Sequence, residues 1–180
     1  MNGLQQRFRF RDHVVHGEAK LFKQQLRRRR LTPLVPYDGE TLTLKGGASL
    51  TFLGPAEDIP ADRGNDRSLI TLFQTGSASV LLMGDAEEPA EQSLLRHHPG
   101  LRCDILKVGH HGSDTSSSPA FLSALGAQTA IISCGTDNDY GHPAEQTLTN
   151  LTLAGVRDIR MTAESGTVAL PLIAYKENAV

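Results

Sequence analysis

A chain of 180 residues with 39% hydrophobic side chains and a mean hydropathy of −0.26 holds enough apolar material for one buried core. No stretch of it reaches the roughly 18–20 continuous apolar residues of a membrane span, and the N-terminus lacks the apolar segment of a secretory signal. The net charge of −2 is unevenly divided: residues 1–30 carry nine of the 18 Lys and Arg against Asp12 and Glu18 alone, leaving an acidic body unsuited to sequence-specific DNA reading.

Taken in chain order, residues 1–30 read as a basic arm. Within it, 15–30 predict an amphipathic helix with Val15, Leu21, Phe22 and Leu26 on its apolar side. Its end, Arg27 to Arg30, suits polyphosphates or an anionic membrane surface, or is a merely solvated helix face. Residues 31–175 form the main domain. Leu42 and Leu44 alternate with threonines, Gly46-Gly47 turns the chain, and Leu50 and Phe52 continue the alternation, which predicts a β-hairpin. The segment GPAEDIPADRGNDR (54–67) is a polar loop, and SLITLFQTGSASVLLMGD makes two strands around Gly76. EEPAEQSLLRHH predicts a helix with Glu87 and Glu88 at its positive end.

CDILKVG is a short apolar run of the kind covered on both faces, and TAIISC is another. Ser116–Ser118 with Pro119 predict the cap and first turn of a helix over AFLSAL. Pro143 opens a second helix that Gly155 closes, and DIRMT and GTVAL finish as strands. Strands alternating with helices late in the chain define an α/β layered domain. Cys103 and Cys134 sit in or beside apolar strands and read as small buried thiols, not a disulfide framework.

Chemistry gathers at strand ends, where layered α/β proteins bind ligands. One strand ends at Asp85, one at His110-His111, and a third leads through a short loop to His142. A carboxylate with imidazoles on separate loops is a donor mix that suits Zn²⁺ or Mn²⁺. Singly, each has a plain reading: a Gly-Asp turn, a loop histidine, a helix entry.

The series NDRSLITLF, LLMGDAE, DILKVGHHGSDTSSSPAFL and AIISCGTDNDYGHP, with the late T-x-x-x-G-T-V at Thr162–Val168, resembles the C-terminal metallo-β-lactamase-fold domain of ComEC-type DNA-internalisation competence proteins over roughly residues 38–170. That resemblance implies an αββα sandwich holding one or two metal ions and hydrolysing a phosphodiester, in a protein of the bacterial cell membrane with a channel portion. It implies Asp85 as a bridging carboxylate and His111 and His142 as further ligands. His110 is then a catalytic or phosphate-binding group, and Lys107 and Ser113 contacts to phosphate oxygens. Lys107 also reads as a strand residue reaching solvent.

One departure stands against these matches. The HxHxDH motif of that fold is absent; Asp12-His13 in RDHVVH is the nearest string, without the two upstream histidines. The expected fold is therefore a sandwich incomplete at its N-terminal half, in a chain that is either part of a longer protein or a degenerate complete one. An uncovered apolar sheet face disfavours the lone domain by about 25 cal/mol per Å², so a homo-oligomer or other partner is expected to cover it. Three functions compete: a metal-dependent phosphodiesterase module, a non-catalytic remnant that binds or supports, and a serine hydrolase on Ser113. The last lacks a G-x-S-x-G elbow.

Overall fold

A computed structural model of the chain describes residues 17–32, 36–60 and 62–172. The chain divides into two units, Met1–Tyr37 and Asp38–Val180. In the first, α1 (Gly17–Arg28) ends in a turn closed by the Leu31 N–H on the Leu26 carbonyl at 2.9 Å. Leu21, Phe22 and Arg27–Arg30 are exposed there. Val15, Asp12 and His13 lie outside the described residues.

The second unit is built on one seven-stranded sheet whose order is the order of the sequence. Strands β1 (Thr41–Thr43), β2 (Ser49–Phe52), β3 (Thr71–Gln74) and β4 (Ser79–Leu82) form an antiparallel meander. Gly46 and Gly47, at φ 84° and 81°, make the first turn in a conformation that side chains resist. The Thr75 hydroxyl closes the third, accepting from the N–H groups of Ser77 and Ala78 at 3.3 and 3.0 Å. From β4 onward the pairing is parallel, through β5 (Ile105–Lys107), β6 (Thr129–Ile132) and β7 (Asp158–Met161). The crossovers are α2 (Glu88–His97), α3 (Pro119–Leu125) and α4 (Glu145–Leu153). Each successive parallel strand lies one step further along the sheet, and crossovers of one hand moving in one direction place their helices on one face.

The packing has that consequence. Leu72, Leu81, Leu106 and Ala130 are directly opposite one another across the strands and share the buried core with Ala90 and Leu94 of α2, Phe121, Leu122 and Leu125 of α3, and Leu151 of α4. The opposite face carries the rows Leu42–Leu50–Phe73–Val80–Ile105 and Thr71–Leu82–Lys107–Ile131. None of these joins the helix-covered cluster. Ile105 is buried, but Leu42, Leu50, Phe73, Val80 and Ile131 are only half-buried and Leu82 is 38% exposed. The structure is thus α/β with a mixed sheet, compatible with one sheet and one helix layer of an αββα sandwich.

Three local expectations are corrected. GTVAL is not a strand: β7 is followed by one short helical turn, α5 (Thr162–Ser165), and irregular chain whose Leu172 carbonyl accepts from the Ser77 hydroxyl at 2.8 Å. The helix after Pro143 begins only at Glu145. Ser116–Ser118 do not cap α3 with their hydroxyls; the N–H groups of Ser117 and Ser118 donate instead to Glu91 of α2 (2.9 Å from Ser118). Cys103 and Cys134 are free thiols, and burial pushes Cys103 up to about 12.

Candidate functional site

Three loops at the carboxyl ends of β4, β5 and β6 meet. Gly84 turns the chain after β4 at φ 60°, and the N–H of Asp85 donates to the Ser68 hydroxyl at 3.0 Å. After β5 the segment Gly109–Gly112 coils tightly, with His110 and His111 at φ 45° and 55°, a region costly to residues other than glycine. The strained backbone is held by hydrogen bonds. The His110 N–H donates to the Gly84 carbonyl at 3.0 Å, the Ser113 N–H to the His110 carbonyl at 2.9 Å, and the Ser116 hydroxyl to the Gly109 carbonyl at 2.9 Å.

The adjacent histidines leave this coil in different directions. The Nδ1 of His111 is 2.7 Å from the Ser133 carbonyl, which can only accept, so Nδ1 carries the proton. Nε2 of the same ring lies 3.3 Å from Asp85 Oδ1. A bare imidazole lone pair facing a carboxylate is repulsive, so the pair calls for a cation between or upon its atoms: a ring proton or a metal ion. Tetrahedral ligands about 2.0–2.1 Å from zinc stand about 3.3 Å apart, and Asp85 and His111 match one such edge. A structural or catalytic site needs at least three protein donors, and no such group is found among the described residues. Asp85 and His111 alone do not make such a donor set.

His110 points to a separate carboxylate. Its Nδ1 is 3.1 Å from Glu87 Oε1, which also accepts from Asn65 Nδ2 at 3.2 Å and from the Thr115 hydroxyl at 2.9 Å. Partial burial pushes the Glu87 carboxyl up, but the bonds from Asn65 and Thr115 and the nearby His110 outweigh it and hold it below its ordinary value. The His110 and His142 rings are 5.7 Å apart between centroids, and His142 stacks on Tyr140 at 5.8 Å. Asp85, His110, His111 and His142 thus lie together, as the spacing of strand ends anticipates.

Lys107 and Ser113 are held differently. Lys107 rises on the helix-free face, and its ammonium donates to the Val108 carbonyl at 2.8 Å. Burial lowers its affinity for a proton while the charge of Asp85 opposes that shift. Ser113 is buried; its hydroxyl accepts from the Thr115 N–H at 3.3 Å and bonds the Thr115 hydroxyl at 3.0 Å. Glu87 and Tyr140 escaped sequence reasoning as site members. Their signals were faint: Glu87 follows Asp85 by two residues on the same turn, and Tyr140 precedes His142 by two.

A mixed-sheet α/β domain with carboxylates and imidazoles converging beyond its parallel strand ends is the class that fold and site define. No family model matches the chain. It is similar to ComE operon protein 3 of Bacillus subtilis (strain 168), at 38% identity over 130 residues, 72% of this chain and 16% of that protein. It is similar also to competence protein ComA of Neisseria gonorrhoeae, at 36% over 115 residues (63% of this chain, 16% of that protein), and to Recombination protein 2 of Haemophilus influenzae, at 41% over 97 residues (54% and 12%). Over these segments the chain is similar to ComEC-type competence proteins, of whose length it spans about one-sixth or less. No helix among the described residues is long and apolar enough to cross a membrane.

Proposed function

We propose that this chain is a DNA-handling module of an uptake machine, acting on phosphodiesters at the strand-end site. The observation that carries the proposal is the Asp85–His111 pair, with Nδ1 engaged by the Ser133 carbonyl and Nε2 turned to the carboxylate 3.3 Å away. Asp85 and His111 would hold one edge of a Zn²⁺ or Mn²⁺ ion, with further donors coming from outside the described residues. Such an ion makes hydroxide available near neutral pH. Glu87 would orient His110 through Nδ1, with the His142 ring 5.7 Å away, and a phosphate oxygen would be received beside these rings. The names of the relatives, with their reference to competence and recombination, support DNA as the partner.

Metal analysis of the full chain is expected to find at least one equivalent of Zn²⁺ or Mn²⁺, with cleavage of a DNA oligomer that Asp85→Ala and His111→Ala each reduce on the order of 10²-fold or more. Metal-free protein, with Asp85→Ala leaving stability and DNA cleavage unaltered, would overturn the catalytic reading. The competing reading is a non-catalytic module that binds or supports. It is favoured by the lack of a third donor among the described residues.

The helix-free sheet face belongs to the same proposal. Parallel strands are ordinarily covered on both sides, and the side of β4 to β6 without helices carries Val80, Leu82, Ile105 and Ile131, continued over the antiparallel strands by Leu42, Leu50 and Phe73. A second copy of the chain covers that face in the isolated protein. In a longer protein, the remainder of the molecule, including a membrane channel portion, takes its place. Gel filtration is expected to give a species larger than the monomer, and Val80→Glu with Leu82→Glu to shift it to the monomer position. A monomeric wild type with cooperative melting would count against this interface.

A further inference from the structure

We propose that Tyr140 is a stacking platform for an unpaired nucleobase at the mouth of the His142–His110 site; this rests on the reading that the chain handles DNA. The Tyr140 ring is 83% exposed. It stacks on the His142 imidazole with centroids 5.8 Å apart and planes 20° from parallel. The line of rings runs on into the site, with His142 to His110 at 5.7 Å and His110 to His111 at 6.5 Å.

The loop that presents the tyrosine is braced. The Asn138 side chain accepts from the His142 N–H at 2.8 Å and donates to the His142 carbonyl at 2.6 Å and the Gly135 carbonyl at 2.9 Å. Gly141, at φ 68°, turns the backbone between the two rings. An aromatic ring left open to solvent gains little from folding. The loop that carries it is already braced, so a flat ligand that covers the ring has less of the chain to order.

The charges nearby select which part of a nucleotide meets the ring. Asp137 and Asp139, just before Tyr140 in the chain, are exposed, and carboxylates repel backbone phosphates. The favourable contact is therefore face to face with a base. A duplex keeps its bases stacked on one another, whereas a single strand frees their faces. Base-on-aromatic stacking of this kind is sequence-tolerant.

The test compares binding of the full chain to a short labelled oligothymidylate, to the same strand lacking bases, and to a duplex. Tyr140→Ala is expected to weaken oligothymidylate binding on the order of 5- to 100-fold, with Tyr140→Phe near wild type. The abasic strand and the duplex should not distinguish the variants. Because the lost contact is uncharged, the ratio of wild type to Tyr140→Ala should hold steady as salt rises from about 50 to 200 mM, while phosphate contacts weaken steeply. Melting of Tyr140→Ala should coincide with wild type. Equal oligothymidylate binding by wild type and Tyr140→Ala overturns the stacking role and leaves the DNA reading standing. Failure of every DNA form to bind overturns the DNA reading itself, and the platform with it.

Discussion

Replacing Glu91 by alanine is expected to cost roughly 1–3 kcal/mol of folding stability or somewhat more, since it strands the buried Ser117 N–H and leaves the half-buried Ser118 N–H without its acceptor. Glu91 is fully buried in α2, and its carboxylate receives the N–H groups of Ser117 and Ser118 at the start of α3. That serine loop in turn holds the histidine coil, because Ser116 donates to the Gly109 carbonyl and Asn150 of α4 donates to the Ser117 carbonyl. One acid therefore ties three helices to the coil that aims His110 and His111.

Glu91→Gln separates charge from size. Burial raises the Glu91 carboxyl above its ordinary value of 4.5, outweighing the hydrogen bonds from Ser118 and Ser117 that favour its ionised form. The folded state then binds the proton more tightly than the unfolded chain. This group's contribution is full below pH 4.5 and declines as pH rises through its folded-state value. Glutamine has no proton to lose, so the decline should vanish in the variant while its overall stability falls. Denaturant midpoints measured across that range check this; equal pH slopes for the two proteins would exclude Glu91 as their source.

Gly109→Ala is the second substitution with a large expected effect. A Cβ added there would lie 2.6 Å from the Ala86 carbonyl oxygen, a backbone atom that cannot swing aside. Relieving the clash means separating the histidine coil from the turn that carries Asp85, at about 1–3 kcal/mol for overpacking. Gly135→Ala serves as control, with nothing within 4 Å of its added Cβ and no left-handed backbone. Thermal melting should drop for the first and hold for the second, and any metal or DNA binding should weaken in the first alone. Equal melting would show that the coil and the turn are not in fixed register.

Much of this architecture is written locally. The alternation at Leu42–Phe52, the apolar runs around Ile105 and Ile131, and the glycines at turns mark their strands directly, because period and turn chemistry are short-range properties. The three strand ends that carry Asp85, His110-His111 and His142 follow from the same pattern. What escaped was set by distant partners. The serines before Pro119 have the composition of a cap, but the acceptor they meet is Glu91, more than twenty residues earlier. The apolar GTVAL segment has strand composition but no ladder to join: β7 pairs with β6, and the chain leaves the sheet through α5. The partner of His110 was hidden for the same reason, since Glu87 reads as an ordinary acid at a helix start until the coil of residues 109–112 brings the imidazole to it.

The strand order, which never departs from the order of the sequence, also bears on how the molecule assembles. Every sheet neighbour of a strand is its neighbour along the chain, so loop closure stays inexpensive and contacts remain comparatively local. The hairpins of β1–β4 can form first and each later βα unit can add to a finished edge, without any strand threading between two others. A chain leaving the ribosome can lay this sheet down in the order in which it is made.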